Sequence, residues 1–382
     1  MSEWFPVQTP PEGDGSRRRR DEARVPKPAV RRRRIITAVV TLVTLGAVGL
    51  TTVNVVLPFL RDLRPSKSNE VEDFPGPGSG PVEIVVKSGE MGAEIAHTLT
   101  DAGVVATEKS FISAYSANPA SQSITPGTYA LLKEMKASDA VVALLNPTNR
   151  VVIKVMIPEG FRARQIYTRV SDELGIPVED LVTAAGDPVG IGLPEEAKGD
   201  VEGWLFPATY DFDPNTTATQ VLARMVARTL QELDLHEVPQ KKWRKIIILA
   251  SVVEKESKLP DDRPKVARVF LNRNKIQMPW QSDATVAYGV QEFDSVFTSD
   301  EARADDNAYN TYLHASYPGG AICNPGADAI AAAVNPTPKK HWLYFIAVNL
   351  VTGETLYSDD LNGHAANRDV LQEWLDEHPG EW

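Results

Sequence analysis

One cysteine, Cys323, stands in a chain of 382 residues. That excludes an intramolecular disulfide framework and a cysteine-built zinc cage. Histidine is also sparse, with six in all and none in an HExxH-type spacing, so neither metal nor cofactor is expected. Basic residues are outnumbered, 40 against 51 acidic, for a net charge of −11. This argues against nucleic acid as the main partner.

The most informative absence is local. No charged residue occurs from Ile35 to Leu60, while residues 1–34 hold ten basic and five acidic groups. As a helix that uncharged stretch is about 39 Å long at ~1.5 Å per residue, enough to cross a hydrocarbon core of about 30 Å. It is too long for most buried core helices. It also exceeds a usual signal-peptide core and lacks a small-residue cleavage site before Arg61. The arginines ahead of it place the N-terminus in the cytoplasm and the body outside, as a single-pass cell-membrane protein. Residues 1–34 read as a basic disordered tail, 35–60 as a transmembrane helix, and 61–81, rich in Pro, Gly and Ser, as a linker.

An internal repeat follows at an offset of 71 residues. Ile84, Val86, Gly89, Ile95, Leu99 and Asp101 match Val155, Ile157, Gly160, Ile166, Val170 and Asp172. Each copy predicts an alternating strand, a glycine turn and an amphipathic helix closed near Gly103 or Gly175. The pattern resembles LysM-like modules, which bind N-acetylglucosamine-containing glycans; a repeated scaffold without a ligand explains it equally. The expected domains are 82–150 (LysM-like module), 151–235 (second βα module and connecting helix) and 236–382 (catalytic domain). The fold class is α+β: membrane-anchored LysM-like βα modules followed by an α+β catalytic domain.

A helical pattern is expected from about Asp211 to Leu235 and a second helix from Gln240. The second becomes apolar on every face over Ile246–Val253, which predicts burial, and runs into Glu254-Lys255-Glu256. A carboxyl group at the end of a buried helix is pushed toward its neutral form, the form a general acid requires. Glu254 and Glu256 project about 200° apart, so they are not a pair flanking one bond. The sequence alone leaves open which of them faces a cleft, and a solvated helix end is the plainer alternative. Downstream, Asn272 and Arg273 end a helical run, and Gln281, Asp283 and Tyr288 follow in a turn-rich stretch. A long Pro-, Gly- and Asn-rich loop then precedes a helix at Asp328–Val334. Aromatic faces and amides suit a glycan. Trp342–Val348 reads as a central strand.

VVEKES, VFLNR, WQSDATVAYG, YNTY and the NPG…AI…AA…NP…LYF series, in that order, resemble the endolytic murein transglycosylase family (MltG, YceG-like). So do IPEG at 157–160 and EGWLFPATY at 202–210. The resemblance covers the chain from about Val82 onward. It implies a lyase that cuts nascent peptidoglycan glycan strands internally, with a 1,6-anhydromuramyl product. It assigns the catalytic role to the first glutamate of the EKE run, Glu254. It assigns binding or positioning to Asn272, Arg273, Gln281, Asp283, Asn310 and Tyr312. Partners would be peptidoglycan strands, with peptidoglycan synthases as candidates. The chain departs from the family at SYPGGAI, where the loop usually reads near GLPPGPI, and at Ser257, where threonine is frequent. Two other readings stay open at this point: a hydrolase with Asp283 as the second carboxylate, and a glycan-binding scaffold without activity.

Overall fold

The computed structural model describes residues 72–293 and 298–380. The basic tail, the apolar stretch 35–60 and most of the expected linker lie outside the described residues. Among those described, no helix is long and apolar enough to cross a membrane.

The alternating run VEIVV forms β1 (Ser79–Val86), so residues 79–81, read as linker, are its first rungs. β1 pairs antiparallel with β2 (Gly127–Lys133), Ile84 opposite Tyr129, and β2 also pairs with the short β3 (Arg150–Val151). Helices α1 (Gly92–Asp101), α2 (Glu108–Ala117) and α3 (Ala137–Leu145) complete this unit. Ile84, Val86, Ile95, Leu99, Phe111, Tyr129 and Leu144 fill its core.

The second copy of the repeat is β4 (Ile153–Met156) and α4 (Ala163–Leu174), followed by α5 (Val178–Ala185). β4 pairs antiparallel with β5 (Thr209–Phe212), Val155 opposite Tyr210. The repeat holds in burial as well as in sequence. Its four matched apolar pairs are all buried, Ile84 with Val155 through Leu99 with Val170. The matched turn glycines, Gly89 and Gly160, both have positive φ, +86° and +74°, where a side chain is strained. The two copies sit in different sheets.

The helical pattern read from Asp211 starts only at Ala218, as α6 (Ala218–Leu235), because 209–212 are held in the ladder with β4. A capping box opens α6. Thr217 Oγ1 accepts from Gln220 N at 3.3 Å, and Gln220 Oε1 accepts from Thr217 N at 2.9 Å. Next come α7 (Trp243–Glu256), α8 (Arg263–Lys275), α9 (Asp283–Val290), α10 (Asp300–Ala304) and α11 (Ala327–Val334). Every residue of α7 from Ile247 to Val253 is buried, as its all-round apolar pattern requires, and α11 and α8 pack on it. A single core runs from Val155 to Ala333, so residues of 151–235 and of 236–382 share it.

The chain ends in β6 (Tyr344–Ala347), β7 (Thr355–Ser358) and α12 (Leu361–Glu377). The central strand expected over Trp342–Val348 is not central. β6 has one partner, β7, and every residue of both strands is only half-buried. α12 packs on this hairpin, and none of its residues is fully buried. Two of the aromatic side chains that suggested a sheet interior, Tyr344 and Phe345, instead wall a cavity described below.

Gly203, in the EGWLFP segment, is the tightest joint in the core. Its φ is +88°, and a Cβ there would stand 2.5 Å from Ala321 Cβ and 2.6 Å from Ile247 Cγ2. Neither neighbour is a flexible side-chain end. Gly203→Ala is expected to destabilise the protein by at least about 2 kcal/mol through overpacking and backbone strain, read as a lower urea midpoint at unchanged slope.

Candidate active site

The last turn of α7 sends three consecutive polar side chains in three directions. Glu254 goes to an ion-pair cluster, Lys255 to one cavity and Glu256 to another.

Glu254 is enclosed. Its side chain is 6% exposed and that of Arg263 is 8%. Arg263 Nη2 donates to Glu254 Oε1 at 2.8 Å, and Gly326 N, at the start of α11, donates to Oε2 at 3.0 Å. The same Arg263 nitrogen lies 3.4 Å from Glu159 Oε2. Glu159 comes from the IPEG turn, and its carboxyl end lies against Gly326. Burial raises the Glu254 pKa, partly offset by the Gly326 N–H and the Arg263 charge; Glu159 adds to the rise.

Glu256 faces a cavity of about 410 Å³. Arg273, Trp280, Gln281, Ser282, Tyr312, Phe270, Tyr344, Phe345, Leu361 and His364 line it as well. Ser282 caps α9 and donates its hydroxyl to Glu256 Oε1. Burial pushes the Glu256 carboxyl up, and the nearby Asp283 charge pushes the same way; the Ser282 bond and Arg273 oppose them.

The residues expected around Glu254 are thus divided. Arg273, Gln281 and Tyr312 line the Glu256 cavity. Glu254 itself meets Arg263 and a backbone N–H, whereas Glu256 is the glutamate that lines this cavity. Asp283 stands behind that cavity. Its Oδ1 accepts from Tyr312 OH at 2.9 Å, from Arg303 Nε at 3.3 Å and from Thr298, so it orients Tyr312. Asn272 and Asn310 are buried organisers of the chain. Asn272 Nδ2 donates to the carbonyls of Lys340 and Trp342, and Asn310 Nδ2 to those of Arg303 and Asp305. Arg273 also pins backbone, through Nε to Leu343 O at 2.7 Å. Tyr288 is elsewhere: it lines the Lys255 cavity, and its hydroxyl donates to Glu202 Oε2 at 3.2 Å.

Sequence reading passed over Glu202, Glu159 and Arg263. The first two stood in motifs quoted for the resemblance; Arg263 carried no local signal. His364 lies in YSDDLNGHAANRDV, which resembles the family's closing strand and His-containing helix and reads as structural; here its side chain lines the Glu256 cavity. Glu202 ties three segments together. It accepts from Ala163 N at 3.0 Å, from Asn324 Nδ2 at 2.8 Å and from Tyr288. Burial raises its pKa to about 7 against these donors. A carboxyl raised from its ordinary 4.5 favours folding fully below pH 4.5 and loses that contribution as pH rises through 7. Glu202→Gln removes this slope. The stability gap between the natural chain and the variant is expected to shrink from pH 4.5 to pH 8, read by urea unfolding at several pH values.

The fold is α+β, and one of its cavities sets a half-buried acid among aromatic and amide groups. Comparison with known proteins supplies the family. The model of the YceG-like family matches residues 84–370. The endolytic murein transglycosylase of Bacillus subtilis (strain 168) is 30% identical over 303 residues, covering 74% of this chain and 82% of that protein. The endolytic murein transglycosylase of Streptococcus pneumoniae (strain R6) is 28% identical over 319 residues, covering 75% of this chain but 57% of its own length. The chain thus spans little more than half of the pneumococcal relative. A crystal structure of a yceG-like protein from Listeria monocytogenes superposes with a TM-score of 0.49 at 27% identity, covering 76% of this chain and 99% of that one. The chain belongs to the YceG-like family.

Proposed function

We propose that this protein is an endolytic peptidoglycan transglycosylase, a lyase that cuts nascent glycan strands between N-acetylmuramic acid and N-acetylglucosamine and so ends their elongation. The observation that carries the reading is Glu256: a half-buried acid on a cavity walled by Trp280, Tyr312, Tyr344 and Gln281. Its relatives' names supply the substrate class.

In this reading Glu256 enters neutral, the form that burial and the Asp283 charge favour. It gives its proton to the glycosidic oxygen as the bond from the muramyl C1 to that oxygen breaks. The resulting carboxylate, steadied by Ser282, takes the proton of the muramyl C6 hydroxyl, whose oxygen closes on C1 as the 1,6-anhydro ring. The proton is returned, no water is consumed, and no second carboxylate is needed. A hydrolase would need a second carboxylate about 5–9.5 Å from the first; Asp283, whose Oδ1 is held by Tyr312, Arg303 and Thr298, is the residue such a reading would use. The aromatic walls stack on sugar faces while Gln281 bonds hydroxyl or acetamido groups.

The rest of the reading concerns placement. Residues 35–60 anchor the chain in the cell membrane with the body outside, next to newly made strands and the synthases that extend them. The unit at 82–150 and the module at 151–235 position glycan, and residues 236–382 hold the acid. The test is to digest purified strands and weigh the products. Anhydro-ended fragments are expected. Reducing ends carrying oxygen from labelled water indicate a hydrolase, and uncut strands a binding scaffold; either result overturns the reading.

A further inference from the structure

A second cavity lies on the other side of α9 from the acid. It encloses about 300 Å³ and is lined by Arg162, Gln165, Lys255, Tyr288, Phe293 and small apolar groups of α9. Ser282, the cap of α9, faces the Glu256 cavity, whereas Ala284, Ala287 and Tyr288 face this one. Lys255 and Glu256 are consecutive on α7 and leave it about 100° apart, so one helix end serves both cavities.

The chemistry of the wall is cationic. The Arg162 guanidinium lies over the Phe293 ring, 3.2 Å from its centroid, and its Nε points to the neutral Gln165 Oε1 at 3.3 Å. Lys255 is exposed. The carboxylate behind this wall, Glu202, has its oxygens on Ala163 N, Asn324 and Tyr288. It therefore offsets only part of the charge of two cations. The floor, of Ala284, Ala287 and Ile322, suits a small aliphatic group and offers no hydroxyl or amide to a sugar ring. A neutral glycan gives these cations hydrogen-bond acceptors but no charged partner. A peptidoglycan strand supplies one: each muramyl lactyl group carries a short peptide with free carboxylates.

Resting on the reading above, we infer that this cavity is a subsite for the stem peptide of a muramyl residue. Lys255 and Arg162 bind a peptide carboxylate there while the glycan lies in the Glu256 cavity. Charge-assisted bonds of this kind are the stronger ones. Occupation of the subsite registers the strand, so that a peptide-bearing muramyl residue presents its bond to the acid.

The experiment compares peptide-bearing strands with strands stripped of peptide by an amidase. Lys255→Met and Arg162→Met should lower kcat/KM on peptide-bearing strands by roughly 10–100-fold, mostly through KM. Cleavage of stripped strands should be unchanged. Equal loss on both substrates, or loss on neither, overturns the inference. Loss confined to strands ending in a lipid pyrophosphate also overturns it, because that places the strand terminus in the cavity. A binding arm separates this inference from the proposed activity. Muramoyl-dipeptide, titrated by calorimetry into the Glu256→Gln chain, should bind, and should bind at least tenfold more weakly once Lys255→Met is added. Dipeptide binding together with a natural chain that cuts no strand would sink the activity and keep the subsite. Cleavage without lysine-dependent dipeptide binding would sink the subsite alone.

Discussion

Glu256→Gln is expected to leave the chain folded and to lower strand cleavage by about 10²–10⁴-fold, the usual worth of a general acid–base group and more where one group serves both steps. Glutamine keeps the size of the side chain and can still accept from Ser282, but it can neither give nor take the proton. Glu254→Gln is the essential control. Its carboxyl is bound by Arg263 and Gly326 N, so its replacement should cost stability and reduce cleavage by no more than about tenfold, below the usual acid–base range. Both variants would be assayed on purified strands, with folding checked by circular dichroism. The reverse order, Glu254→Gln inactive and Glu256→Gln near the natural rate, would return the acid to Glu254.

Arg263→Met is expected to destabilise the protein by about 3–5 kcal/mol, the cost of leaving a buried ionised partner alone. The guanidinium touches Glu254 at 2.8 Å and Glu159 at 3.4 Å, and both Arg263 and Glu254 are nearly closed to solvent. Without the cation two carboxylates face each other at the start of α11. Adding Glu254→Gln to Arg263→Met should recover part of the loss, because it removes the stranded charge. Urea unfolding of the four members of this cycle measures the coupling. Strictly additive losses would show that the pair does not act as one.

How far the sequence could be read differs between elements. Periodicity located α6, α7 and α11, and the 71-residue repeat gave pairs that share burial and turn conformation. These are local properties of the chain. What the pattern left open was tertiary. Val252 and Glu256 lie one turn apart on a helix that the pattern marks as buried on all sides, and no periodicity tells which of two glutamates meets a cavity. That depends on where α8, α9 and the C-terminal hairpin come to rest. Asn272 and Asn310 fit a glycan by residue type, yet they bond backbone carbonyls, because a turn-rich chain needs internal donors as much as a sugar does. Trp342–Val348 had the composition of a central strand, and its aromatics have a cavity to wall instead. Arg263 could not be recognised at all, since its partners come from positions as far away as Glu159.

The single core from Val155 to Ala333 also constrains the order in which the molecule can form. The apolar segment Ile247–Val253 is covered by residues that include Ile322 and Ala329–Ala333, which leave the ribosome some 80 residues later. At roughly 5–20 residues per second this is about 4–16 s of synthesis. For that interval the part of the helix that α11 covers lacks its cover. Chains truncated between α7 and α11 should therefore be the aggregating species, and a holding chaperone should engage nascent chains of that length in preference to shorter ones.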